Sequence, residues 1–203
     1  KPVLQMFTYK GSDRNNILFR QIGSKVRGNR SRVHGTGVFI DTHATPKARY
    51  KAVGQGLFVR PGQRPHRIAG MYSADGLKWT RLPKPIIDVF ADSQYSGFWD
   101  ASRERYVVFG RVGGRGRSLG RSESADFSHL DPLKLVAQTC DRDPPNSDLY
   151  NSAAIKYAHA PNVYLMFPSL YQHGPDTLDI RLAVSRDGIR WSRPDRKTAF
   201  IAL

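Results

Sequence analysis

Cysteine is almost missing from this chain: the single residue is Cys140. An intrachain disulfide and a cysteine-based zinc site are both excluded. Glutamate is nearly as scarce, with Glu104 and Glu123 set against a large excess of aspartates. No apolar run is long enough for a helix to cross a bilayer. Lys1-Pro2-Val3-Leu4-Gln5 lacks the basic-then-apolar layout of a secretion signal. Compartment therefore stays open, with an extracellular or periplasmic place expected only if a leader precedes Lys1. No long stretch free of Gly and Pro carries a helical period, so long amphipathic helices are excluded. The six histidines show no pair at ligand spacing on one helix, and no metal or cofactor is expected. A phosphate loop of the form G-x-x-x-x-G-K-[ST] is absent, and Gly114-x-Gly116-x-x-x-Gly120 is not the dinucleotide fingerprint.

What is present reads as β-structure. Gly and Pro number 18 and 13, so turn formers recur throughout. Between them lie short runs rich in β-branched and aromatic residues: Val38-Phe39-Ile40, Tyr50–Val53, Tyr106-Val107-Val108-Phe109, Tyr164–Phe167 and Leu178–Val184. Hydrophobic residues make up 39% of the chain, enough for a packed core. The formal charge is +15, from 32 Lys+Arg against 17 Asp+Glu. Such a balance attracts polyanions; it also follows from an arginine-rich genome with no partner implied.

Repetition narrows the architecture. Ser73-Ala74-Asp75-Gly76-Leu77-Lys78-Trp79 returns as Ser185-Arg186-Asp187-Gly188-Ile189-Arg190-Trp191, with a degraded copy, Ser124-Ala125-Asp126-Phe127, between them. The steps from Ser73 to Ser124 and from Ser124 to Ser185 have the size of a four-stranded propeller blade. The box is structural: Asp-Gly makes a tight turn, and Ser and Asp tie its amides. Each copy is preceded by an inner strand, a hairpin and a second strand led by an aromatic. These are Val38–Asp41 then Arg49-Tyr50, Gly97–Asp100 then Arg105-Tyr106, and Ala154–Tyr157 then Val163-Tyr164. Asp41 and Asp100, at the far ends of their strands, read as hairpin residues. The fold class is therefore all-β, a propeller with about three four-stranded blades, at roughly 15–87, 88–140 and 141–203. Lys1-Pro2 matches Arg193-Pro194 behind the last box, so the expectation is three blades from a longer protein.

Gly11–Leu18, Pro46–Lys51, Phe98-Trp99-Asp100, Asp148-Leu149-Tyr150, Tyr164–Ser169 and Leu182–Trp191 together resemble the five-bladed propeller glycosidase superfamily of arabinanases, invertases and levansucrases. The likeness is to bacterial members of the family 32 and 43 type. It implies five blades around a funnel, a poly- or oligosaccharide substrate, and glycoside hydrolysis by axial carboxylates, typically two Asp and one Glu. That chemistry needs one carboxyl to protonate the leaving oxygen and an ionised one to act as base or nucleophile.

The positions ahead of the inner strands hold Asp92 and Asp148, one blade step apart, which makes them the candidate catalytic pair. The alternative is that each merely caps a turn. His34 stands near the equivalent place in the first unit. Gln94 and Tyr150 flank the two aspartates, and Arg111, Tyr171 and His173 follow the second strands; all are candidate substrate contacts. Tyr171 offers a stacking face, and Arg111 offers a bidentate grip on a sugar carboxylate or sulfate. Neither glutamate is axial, so a glutamic general acid would have to come from elsewhere.

Gly110–Ser118 resembles an Arg-Gly RNA-binding tract but lacks interleaved aromatics, so it reads as a blade hairpin and nucleic acid is disfavoured. Three functions remain: a glycoside hydrolase, a non-catalytic glycan-binding propeller, and a basic polyanion-binding scaffold. The basic surface favours uronic or sulfated glycans in the first.

Overall fold

The computed structural model describes residues 3–18, 35–92 and 94–202. The first unit contains β1 (Gly37–Ile40), β2 (Tyr50–Leu57), β3 (His66–Ser73) and β4 (Thr80–Arg81), paired in that order, with β5 (Ile87–Phe90) also against β3. The second runs β6 (Ser96–Asp100), β7 (Arg105–Gly114), β8 (Gly116–Ser124), β9 (Lys134–Ala137) as a four-stranded antiparallel meander.

The third unit is bent. It comprises β10 (Ser147–Leu149), β11 (Ala154–Lys156), β12 (Tyr164–Met166), β13 (Ser169–Gln172), β14 (Thr177–Ile180) and β15 (Ala183–Ser185). These pair as two short ladders, β10-β13-β14 and β11-β12-β15. Pro168 has no N–H to give the ladder, and Ala153 sits at φ +43° on the opposite strand. The Tyr150 N–H still reaches the Ser169 carbonyl at 2.8 Å, and the Arg181 N–H reaches that of Pro168 at 2.8 Å, so the halves join across the bend. The described residues are thus all-β apart from one 3-10 turn, Pro46–Ala48, the architecture of a partial propeller.

The inner strands β1, β6 and β11 lie side by side. Their starting ends touch: the Tyr95 N–H donates to the Gly35 carbonyl at 2.9 Å, and the Ala154 N–H donates to Ser96 Oγ at 3.1 Å. Ser96 and Ser152, separated by the same step as Asp92 and Asp148, share a hydroxyl hydrogen bond of 2.9 Å. This is the hub.

β7 shows why the central apolar run does not alternate with polar residues. Tyr106 and Val108 enter the core against the first unit, with Val53, Ile68, Ile86, Ile87 and Phe127. Val107 and Phe109 enter the core against the third, with Leu119, Leu149, Met166 and Leu170. A strand buried on both faces reads as a continuous apolar run. Each buried large side chain contributes roughly 1.5–3 kcal/mol, so the two inter-sheet cores hold the units together.

Both complete boxes fold alike. Ser73 Oγ accepts from the N–H of Asp75 and Gly76, Asp75 Oδ1 accepts from those of Leu77 and Lys78 at 2.8 Å each, and Trp79 Nε1 donates to the Gly76 carbonyl at 2.9 Å. Ser185, Asp187, Gly188 and Trp191 repeat these contacts. Gly76 and Gly188 take φ +74° and +70°, which glycine alone adopts without strain. In the degraded copy, Ser124 and Asp126 keep their amide contacts, and Phe127 packs into the first core.

Asp41 and Asp100 occupy the hairpin ends and do more than turn the chain. Tyr106, on the next unit, donates its hydroxyl to Asp41 Oδ2 at 2.8 Å, while Lys51 pairs with the same carboxylate at 3.1 Å. Asp100 repeats the arrangement with Tyr164 and Lys156 of the third unit. Tyr106 and Tyr164, at the heads of the second strands of the second and third units, are thus also clamps on the preceding unit.

Acid should release the Asp100 clamp. Burial raises the pKa of Asp100, but hydrogen bonds from Lys156, Tyr164 and Ser102 outweigh it, and the net shift is downward. Asp143 behaves likewise, burial being outweighed by Arg193 and the Cys140 N–H. A carboxylate with a depressed native pKa contributes stability that is complete above its unfolded value, about 3.9, and lost as pH falls through the native one. Urea unfolding is expected to give a stability that is flat above about pH 5 and drops steeply below about pH 4. A constant unfolding midpoint down to about pH 3 would contradict this.

Candidate active site

The strand directions sort the molecule into two ends. The β6–β7 turn at Asp100 and the Ser124 box share one end, while the start of β6 and the β7–β8 turn at Gly114–Gly116 share the other. Asp92, Arg111, Arg117, Asp148, Tyr150, Tyr171 and His173 all belong to this second end.

Asp148 is buried on β10. Arg117 Nη1 donates to its Oδ2 at 2.8 Å, and His173 Nε2–H donates to the same oxygen at 2.9 Å. Burial raises its pKa, but Arg117, His173 and the backbone N–H of Arg117 prevail, and the carboxyl lies below the ordinary aspartate value. Asp148 is therefore ionised at neutral pH. It suits a base, a nucleophile or a stabiliser of positive charge, and not a proton donor.

Asp92 is half exposed on the loop into β6, paired with Arg111. Arg111 also donates Nε and Nη2 to the Tyr150 carbonyl, at 3.2 and 3.0 Å. Its guanidinium lies 4.2 Å from the Tyr150 ring centre, and that of Arg117 lies 5.2 Å from the same ring. The two aspartates thus bracket one Arg111–Tyr150–Arg117 cluster. Tyr171 packs edge-on to Tyr150 and to His173, at 5.6 and 4.6 Å, and its hydroxyl donates to Asp176 at 2.5 Å. Gln94 is exposed between Asp92 and β6. His34 lies outside the described residues.

Two clefts meet here. One, of 500 Å3, is lined by Val89, Phe90, Asp92, Arg111, Val112 and Leu133; the other, of 740 Å3, by Thr139, Pro144, Asn146, Asp148 and His173 among others. Gly116 and Arg117 border both, so the β7–β8 hairpin is the ridge between them. The sequence reading did not single out Arg117. Its placement depends on the hairpin register, with Gly113 opposite Arg117 and Gly114 opposite Gly116. The glycine-rich stretch was the visible signal: a glycine beside the tip lets the backbone close over a carboxylate.

Gly116 makes that closure. It takes φ +66°, and a β-carbon on it would overlap Asp148 Oδ1. Gly116→Ala is expected to lose about 1–3 kcal/mol, the usual cost of strained backbone, and to push Asp148 from its place. Denaturant unfolding with an Asp148 carboxyl chemical-shift measurement checks this; wild-type values for both would contradict it.

Among the described residues no cluster of three His, Cys, Asp or Glu side chains is placed to hold a metal, and no helix is long and apolar enough to cross a membrane. No protein-family profile matches the chain, and no curated protein does. Solved structures do match. A family 32 β-fructofuranosidase of Bombyx mori, in complex with sucrose, superposes with a TM-score of 0.54 at 11% identity, covering 83% of this chain and 36% of its own. A structure from the family 130 mannoside phosphorylases, a family described as containing glycoside hydrolases that target β-1,2-mannosidic linkages in Candida mannan, gives 0.53 at 13%, covering 85% and 51%. An N-acetylgalactosamine deacetylase from F. plautii, in complex with blood group B trisaccharide, gives 0.51 at 14%, covering 88% and 73%. The chain spans about half the length of the first structures it matches. What these likenesses establish is the fold alone: the all-β, blade-like sheets of this chain superpose on those of the matched structures.

Proposed function

We propose that this chain carries part of the active site of a glycoside hydrolase acting on a poly- or oligosaccharide. The observation that carries the reading is the convergence of Asp92 and Asp148, equivalent positions of successive units, on one Arg111–Tyr150–Arg117 cluster at the hub end. The glycoside hydrolases among the solved neighbours support it. In this reading Asp148 is the ionised partner, and Asp92, on the cleft next to it, orients the sugar or activates water. Neither glutamate serves as the proton donor, because Glu104 and Glu123 stand at the opposite end. The ring cluster and the part-exposed Arg117 favour a glycan bearing carboxylate or sulfate groups.

A second reading is a glycan-binding propeller without turnover. It is favoured by the engagement of both carboxylates with arginine. The experiment is release of reducing ends from a panel of neutral, uronic and sulfated oligosaccharides, with Asp92→Asn and Asp148→Asn as controls. The hydrolase reading expects release that both substitutions reduce. Saturable binding without release selects the second reading, and release that neither substitution changes removes these aspartates from the mechanism.

A further inference from the structure

The two arginines of the cluster are not equivalent. Arg111, the one the sequence marked for a sugar carboxylate or sulfate, is already occupied. Its Nε and Nη2 hold the Tyr150 carbonyl, its Nη1 holds Asp92, and its side chain is 10% exposed. Arg117 differs. Among the described residues its side chain donates one hydrogen bond, from Nη1 to Asp148, and the side chain is 39% exposed. A guanidinium has five N–H donors in a planar fork, so the rest of this fork stays available. The Tyr150 and Tyr171 rings, 5.2 and 5.8 Å from its centre, brace it without using those donors. It stands on the ridge that borders both clefts. The nearest carboxylate, Asp148, shares its charge with His173 and the Arg117 backbone N–H, which lowers its repulsion of a second anion.

We infer that Arg117 is the specificity-determining residue of this site, gripping a carboxylate or sulfate on a sugar ring that crosses the ridge. This rests on the glycan reading above, but it requires binding only, not turnover. Arg111 becomes a positioning residue that ties Asp92 to the Tyr150 backbone.

The test follows the arginine Nε–H resonances of the whole chain by nitrogen-correlated NMR. Sodium sulfate is titrated at constant ionic strength against sodium chloride, followed by digalacturonate, galactose 6-sulfate and neutral galactobiose. The Arg117 signal is expected to shift saturably with sulfate and with both acidic sugars, and not with chloride or galactobiose. Hydrogen bonds to a charged group, at about 1.5–3 kcal/mol, correspond to roughly 10- to 100-fold in affinity, which Arg117→Gln should remove. Arg117→Lys keeps the charge and the fold but loses the fork, so it should bind more weakly than wild type and more tightly than Arg117→Gln. Arg190→Gln, at an exposed arginine on the Asp187 turn of the opposite end, should stay within about 2-fold of wild type, as surface substitutions away from a site do. Equal responses to sulfate and chloride, or an equal loss in Arg190→Gln and Arg117→Gln, would overturn the assignment. Saturable binding of digalacturonate through Arg117 without hydrolysis leaves it standing and removes the hydrolase reading. Hydrolysis of neutral glycans with a silent Arg117 resonance does the reverse.

Discussion

Asp100→Ala is expected to destabilise the chain by about 3–5 kcal/mol, the usual cost of removing one partner from a buried ion pair. Asp100 is fully buried at the junction of the second and third units and receives Lys156, Tyr164 and Ser102. Without the carboxylate, the Lys156 ammonium loses its counter-charge and keeps only the Ser102 and Tyr164 hydroxyls, and the Tyr164 hydroxyl loses its acceptor. In a chain of this size the loss corresponds to roughly 6–20 °C in Tm. The double variant Asp100→Ala/Lys156→Met should recover part of it, because the stranded charge goes too. Asp41→Ala should behave alike, since Tyr106 of the second unit donates to Asp41 and Lys51 of Asp41's own unit pairs with the same carboxylate. Denaturant unfolding measures all three; a loss below about 1 kcal/mol in Asp100→Ala, the scale of an exposed pair, would show that the clamp does not hold the units together.

Asp148→Asn should lower glycan hydrolysis by about 10²–10⁴-fold, the range for removing an acid or base that acts in the transition state. Asparagine keeps the shape and one acceptor for Arg117, so binding should change far less than turnover, and kcat should fall while KM stays close to wild type. Because hydrogen bonding holds the Asp148 carboxyl below its ordinary value, it remains ionised well into the acid range. Any acid limb it imposes on the rate should lie below about pH 4. A limb near about pH 5–6 would belong to another group. Asp92→Asn should cost less, because Asp92 is half exposed and already paired with Arg111. Rates measured with pure anomeric oligosaccharides at several pH values check the set, and equal turnover in wild type and Asp148→Asn would contradict the assignment.

Much of the architecture was visible as repetition. The two Ser-x-Asp-Gly-x-x-Trp boxes fold with matching hydrogen bonds, and Tyr50, Tyr106 and Tyr164 each stand at or beside the start of a second strand, as their spacing suggested. Local turn chemistry and strand patterning carry that information, because both depend on near neighbours. The partner of a buried side chain does not. Asp41 and Asp100 looked like hairpin residues because their hydroxyl donors stand 65 and 64 positions away, on the next unit. The break of the third unit into two ladders was equally hidden: Pro168 was legible, but the positive φ of Ala153 opposite it was not. At the site, the one-unit offset brought Asp92 and Asp148 forward as a pair to examine, while the roles of the two arginines were set by hairpin register and exposure. Arg111 looked free and is occupied; Arg117 looked like part of a glycine-rich tract and stands over the carboxylate.

The central claim is that the end of the molecule where the inner strands begin is a glycan site. The most direct measurement is an oligosaccharide titration of the labelled chain followed by NMR, reading which residues respond. Shifts gathered on Arg117, Tyr150, Tyr171 and His173, beside the two aspartates, are the predicted result. Shifts gathered instead on the Asp75 and Asp187 turns at the opposite end, or none with any neutral, uronic or sulfated glycan, would contradict it.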